Sequence, residues 1–231
     1  MIRKKIAAVF LAIITYFGAF GLCGVAQSVT ETAVLPQLKV VVDAGHGGMD
    51  GGVVGTKTGI KESDLNLTIA FKIKEKLTDA GFEVVMTRKT EAGLYGEPSK
   101  GFKGRDMQKR KEIAEAAFPT LLLSVHQNFY PSSRQRGGQI FYLAESEQGA
   151  MLAAELQNGL NALYGGYSVK ARNAMKADYF MLRFPFPSVI VECGFLSSPK
   201  DETLLVEAVF QEKLAAAIAA GVVRYMETQS G

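Results

Sequence analysis

The chain contains two histidines, and each stands just beyond an apolar run that reads as a buried strand. His46 follows the run Leu38–Val42, in Asp43-Ala44-Gly45-His46-Gly47-Gly48. His126 follows Thr120–Val125, in Ser124-Val125-His126-Gln127-Asn128. A third run, Ser188–Val191, is followed by Glu192. In open α/β sheets ligands bind beyond the carboxyl ends of the strands, so these three side chains can converge at one sheet edge. Glu62, at the entrance to a helix, is carried back toward that edge by the loop after His46. Two neutral imidazoles and a carboxylate are a common ligand set for catalytic zinc, with a fourth position left to water. A second carboxylate beside that water would serve as the proton shuttle of metal-assisted hydrolysis. Taken singly, the same residues have plainer readings. A histidine after a strand is often a hydrogen-bonded structural residue, and Glu62 suits a helix start through the macrodipole. The glycines around His46 lack the Lys-Ser/Thr ending of a phosphate loop. Glu192 is costly to bury without a partner. Spacing alone leaves a metal site and a set of structural side chains equally open.

The elements that must position these residues alternate. Ser63 can cap a helix carrying Leu65, Ile69, Ile73 and Leu77 at every fourth position, with Gly81 after its last turn. Phe82–Thr87 reads as the next strand, completing a right-handed βαβ unit. Arg105–Ala117 reads as a helix, Gln139–Leu143 as a strand and Glu147–Leu163 as a helix. Asp201–Tyr225 reads as one long final helix. The Gly-rich segment Thr90–Gly104 is the best candidate for a mobile surface loop. The pattern predicts a single α/β domain with a mostly parallel central sheet flanked by helices on both faces.

Composition narrows the function further. With 48% hydrophobic and 21% charged residues, the 231-residue chain is neither disordered nor collagenous, and it can bury a real core. Its net charge of +3 comes entirely from Arg3, Lys4 and Lys5. Beyond residue 26, 23 basic side chains face 23 acidic ones, so there is no global bias toward nucleic acid, although a local patch remains open. Those three basic residues precede the uncharged run Ile6–Ala26, which reads as an export signal or an N-terminal membrane anchor. Gly24-Val25-Ala26 would permit cleavage before Gln27. Leu22 before Cys23 disfavours a lipoprotein signal. Residues 27–36 read as a linker and 37–228 as the functional domain, working outside the cytoplasm. Cys193 is then alone in that domain, which leaves no intramolecular disulfide.

Taken together, Val41-Val42-Asp43-Ala44-Gly45-His46-Gly47-Gly48, Lys61-Glu62, Ser124-Val125-His126-Gln127-Asn128 and Val191-Glu192-Cys193-Gly194-Phe195-Leu196 resemble the zinc-dependent N-acetylmuramoyl-L-alanine amidases of type 3. The four motifs come in the family's order and span about Leu38 to Tyr225. The resemblance implies Zn2+ held by His46, Glu62 and His126, with Glu192 as the catalytic carboxylate. It also implies peptidoglycan as substrate, cut at the amide between the lactyl group of muramic acid and L-alanine. Gln127 replaces the small residue more usual after the motif histidine, and Glu115 follows Ile113-Ala114 where the family commonly has Asn. Arg110 falls where the family tends to carry an Arg. The compact form, without a long insertion between His126 and Glu192, is most similar to the germination-specific spore-cortex amidases. That similarity implies a place in muramic lactam formation, action in the spore intermembrane space and an exported lipoprotein as activating partner. Two other functions share these features: a zinc peptidase acting on stem peptides, and a catalytically degenerate peptidoglycan-binding domain.

Overall fold

The structure, a computed structural model, describes residues 38–229. The N-terminal basic and apolar segment and the linker lie outside the described residues. Six strands, β1 (Lys39–Ala44), β2 (Glu83–Met86), β3 (Leu121–Asn128), β4 (Gln139–Tyr142), β5 (Met175–Lys176) and β6 (Ser188–Phe195), form one sheet in the order β2-β1-β3-β6-β4-β5. All neighbours run parallel except β4 and β6. Five helices accompany them: α1 (Glu62–Asp79), α2 (Phe102–Ala116), α3 (Glu147–Gly165), α4 (Pro199–Leu205) and α5 (Ala208–Gln229). Among the described residues no helix is long and apolar enough to cross a membrane.

The central strands are apolar on consecutive residues because both of their faces are covered. Val40, Val42, Leu121, Leu123, Val125, Val189 and Val191 point toward Ile69 of α1, Leu156 of α3 and Ile218 of α5 in the larger core. Their alternates Val41 and Leu122 meet Ala114 of α2 and Met181 in a smaller one. The covering is unequal, with three long helices on one face and one on the other. A strand's side chains alternate with period two, so Asp43, Ser124, His126 and Glu192 share the thinly covered face with Val41 and Leu122.

Local readings differ from the structure where tertiary contacts decide. Helix α1 starts one residue after the extended Lys61, and no side chain caps it. Its first N–H groups are satisfied by loop carbonyls instead: Glu62 donates to Val53 and Ser63 to Gly51. Ser63 therefore lies inside the helix, its hydroxyl on Asp64. The expected final helix is two, broken after Leu205, whose carbonyl accepts from the buried Gln211 side chain at 2.7 Å. The segment Thr90–Gly104 is anchored by hydrogen bonds. Arg105 donates to the carbonyls of Tyr95, Glu97 and Lys100, and Asp106 accepts from Leu94 N–H. Its last residues already belong to α2.

Candidate active site

Strands β1, β3 and β6 lie side by side, and their carboxyl ends carry the residues in question. His126 and Glu192 are direct cross-strand partners, followed by a register shift before Asn128 pairs with Phe195. Such a bulge re-aims side chains at a strand end. His46 sits just past β1 with φ of 60°, a left-handed conformation a non-glycine residue adopts only when its surroundings hold it there. Glycine clears the space: a Cβ on Gly45 would meet the His126 ring at 2.2 Å, and one on Gly52 would come within 2.4 Å of Glu62 Oε2.

Glu62 lies between the two imidazoles. Its Oε1 is 2.9 Å from His126 Nδ1 and accepts from Gln127 N–H at 3.1 Å. Its Oε2 is 3.3 Å from His46 Nε2 and accepts from Val53 N–H at 2.9 Å. Burial opposes ionisation of Glu62, but hydrogen bonds from His126 and His46 outweigh it and hold the carboxyl well below its usual range. The other nitrogen of His46, Nδ1, is 2.9 Å from Asp50 Oδ2. Burial disfavours the charged His46 ring, yet the bonds to Glu62 and Asp50 raise it to about 9. Glu192 completes the group on the cleft wall. Its Oε2 is out of contact with solvent and has no hydrogen-bond partner, and burial pushes its carboxyl up to about 7.

This arrangement fits a divalent cation. The donor atoms of His46, Glu62 and His126 lie within 4.8 Å of one another, and a metal would relieve the crowding of three groups that otherwise compete for protons. Asp50 on the far nitrogen of His46 is the outer carboxylate that commonly orients a ligating histidine. The four residues singled out in the sequence thus come together. His46, His126 and Glu192 line a cleft of about 430 Å³, with Glu62 buried behind them, and Met107, Tyr179, Phe180 and Ile190 give that cleft an apolar part.

Beneath the site lies a buried ionic network that sequence reading touched only at Arg110. Arg110, 1% exposed, donates to Asp43 Oδ1 at 2.7 Å, to Asp106 Oδ2 at 2.6 Å and to the carbonyls of Ala44 and His46. Arg88 donates to the carbonyls of Ala44, Gly45 and Ser63. Two guanidinium groups therefore fix the backbone that presents His46. Burial alone would raise the Asp43 carboxyl, but Arg110 and the hydroxyls of Ser124 and Thr87 hold it at about 2. A carboxyl depressed on folding contributes stability above its unfolded value near 3.8 and loses it as pH falls through its folded value. Asp43 is expected to contribute about 2 kcal/mol that fades between about pH 4 and pH 2. In Asp43→Asn, urea unfolding at neutral pH should show a loss of about 3–5 kcal/mol, because Arg110 is left buried and under-compensated. The acid limb between those pH values should flatten. An unchanged acid limb would remove Asp43 from this role.

The comparisons with known proteins bear on this geometry. The family model described as N-acetylmuramoyl-L-alanine amidase matches residues 40–224. The chain belongs to that family. The germination-specific N-acetylmuramoyl-L-alanine amidase of Bacillus subtilis (strain 168) is 33% identical over 83% of this chain and 81% of its own length. AmiA of Escherichia coli (strain K12) is 29% identical over 80% of this chain and 75% of its own. Among solved structures, the CwlD amidase from Clostridioides difficile in complex with the GerS lipoprotein aligns with a TM-score of 0.77. It is 30% identical, over 83% of this chain and all of that one. This amidase is accordingly a peptidoglycan hydrolase, with the α/β sheet of its relatives.

Proposed function

We propose that this amidase is zinc-dependent, with His46, Glu62 and His126 holding the metal and Glu192 moving the proton. The observation that carries the reading is the juxtaposition of three close donors with an unpartnered carboxyl oxygen on the wall of one cleft. Zinc bound there supplies Lewis acidity toward the lactyl carbonyl and acidifies water. The remaining work falls to the chain itself. Glu192, with its carboxyl at about 7, can accept a proton at Oε2 near neutrality and deliver it to the L-alanine nitrogen. An amide nitrogen leaves poorly unless protonated, so the return of the proton matters as much as its removal. Asp50 keeps His46 turned toward Glu62, while Arg110 and Arg88 keep the carrying loop in place.

The finer biological reading follows the relatives. A role in spore cortex, preparing muramic acid for conversion to its lactam, is supported by the likeness to the germination-specific enzyme. The neighbour solved with a lipoprotein supports an exported lipoprotein partner for this chain as well. The basic residues before the apolar run Ile6–Ala26 support export, with residues 1–26 as signal or anchor and the enzyme acting outside the cytoplasm, in the spore intermembrane space for a cortex enzyme.

Mass analysis of digested peptidoglycan tests the reaction. The expected products are intact stem peptides beginning with a free L-Ala amine, together with glycan strands bearing free lactyl carboxylates. Peptides cut internally would overturn the amidase reading in favour of a peptidase, and no products under zinc-replete conditions would favour a degenerate binding domain.

A further inference from the structure

The equal numbers of basic and acidic side chains beyond residue 26 are not spread evenly over the folded chain. Two adjoining grooves share Arg136 and Ser168. One, of about 430 Å³, is lined by Arg134, Arg136, Lys170 and Arg172. The other, of about 660 Å³, adds Lys57 and Lys200. Six cationic side chains line the two, with no Asp or Glu among the lining residues. Two carboxylates belong to the adjacent helix α4, but both are buried and fully engaged. Asp201 accepts from Arg136 Nε, Gly137 N–H and Phe195 N–H. Glu202 accepts from the N–H groups of Lys57 and Thr58 and from the Thr58 hydroxyl. They offset part of the charge from below and present none of their own. Arg172 is held in place by the Arg136 carbonyl, Gln135 and the face of Phe195. Arg134 and Lys170 are exposed and have no ion pair among the described residues. Like charges gathered in a concave surface raise the local concentration of anions.

The surroundings select the kind of anion. A single-stranded nucleic acid needs a run of free aromatic faces to stack on, and the two grooves are lined by a single aromatic ring, Tyr167, which packs edge-to-face with Phe210. A membrane surface needs exposed apolar anchors, and the exposed large hydrophobic residues lie outside both grooves. What remains is an extended strand bearing carboxylates at intervals. The family's own substrate is such a polymer, since peptidoglycan stem peptides carry free carboxylates. Placement agrees. Arg134 and Arg136 lie on the connection leaving β3, and Lys200 lies on the helix just after β6, so they follow the strands that carry His126 and Glu192. The packing of Tyr167 on α5 sets the grooves toward the opposite face of the sheet from the α2-lined cleft.

We propose that this cationic track is a second, non-catalytic peptidoglycan-binding surface, which holds stem-peptide carboxylates of the wall polymer while the cleft works on another stretch. The inference rests on the family's substrate and not on the metal or on the role of Glu192. Its test is co-sedimentation of the full chain with insoluble peptidoglycan freed of phosphodiester polymers. Arg134→Glu combined with Lys170→Glu should weaken binding at least tenfold at low salt. The difference should vanish at about 0.5 M salt, where the Debye length is only a few ångströms. The neutral pair Arg134→Gln and Lys170→Gln should fall between. Lys74→Glu with Lys213→Glu, an equal change of charge elsewhere, should bind like the parent. Hydrolysis of a small soluble muramoyl-peptide should stay within about twofold of the parent in all three, which also shows that the variants fold. Amidating the carboxyl groups of the peptidoglycan should weaken the parent as much as the charge reversal does. Unchanged sedimentation of the reversed pair would overturn the proposal. So would equal affinity for the amidated polymer, or binding seen only with phosphodiester-bearing walls or anionic phospholipid vesicles.

Discussion

Glu192→Gln is expected to keep the fold and the metal while turnover on peptidoglycan falls by about 10²–10⁴-fold, the usual worth of a general acid–base group. The substitution preserves shape and removes only the ability to take up and release a proton. Glu192 pairs with His126 across the strands, yet its Oε2 bonds to nothing, so no structural hydrogen bond at that atom is sacrificed. The removed charge also lightens the electrostatic load, since Glu62 and Glu192 oppose each other's ionisation. Folding stability is therefore expected to hold or rise. Zinc content after dialysis, unfolding midpoint and turnover separate the possibilities. Near-normal turnover would remove Glu192 from the reaction, and lost zinc would make it a ligand.

Removing a donor is expected to act differently. His126→Ala should abolish measurable zinc retention and activity together, since it deletes one of the three close donors found among the described residues. Asp50→Asn should act through His46, which keeps its donor atom but loses the carboxylate that turns it. Outer partners of this kind are worth about 10–100-fold in metal affinity. Competition with a chromogenic chelator measures both. The graded order, severe at His126 and moderate at Asp50, is the signature of a metal centre. A purely structural histidine cluster would show unfolding in place of the gradation, and full zinc retention by His126→Ala would place the site elsewhere.

The parts of this site that were legible in the sequence share a physical origin. A strand buried on both faces is written as a continuous apolar run, so a polar residue at its end stands out, as His126 and Glu192 do. Glu62 was less legible, because a carboxylate at a helix start has an ordinary explanation; its place after the His46 loop made it a candidate, and the family resemblance gave it the ligand role. Asp50 carried no signal of its own, since its partner His46 is found only after the intervening turn closes. The Asp43–Arg110 pair joins residues 67 apart, and its burial depends on α2 docking beneath the sheet. Capping by backbone is equally silent: Ser63 has the right chemistry for a helix cap, yet the loop carbonyls of Gly51 and Val53 take that position. The cationic track is the same lesson for charge. Its members lie between Lys57 and Lys200, and only folding brings them together.

The strand order has a consequence for how the enzyme comes into being. The last strand of the chain, β6, does not join an edge but slots between β3 and β4, in the middle of the sheet. Until it does, β3 lacks a neighbour on one side and Glu192 has no place to sit. A ribosome must therefore have released residues well past Phe195 before the cleft can exist, and a chain shortened ahead of β6 would add two open edges, at β3 and β4, that are prone to aggregate. Pairing elements so far apart in sequence is also slow, because the loop-closure entropy comes due before the contacts that repay it. A hydrolase built this way is inert as a nascent or unfolded polymer and gains its cutting power in one late step, when the central strand arrives.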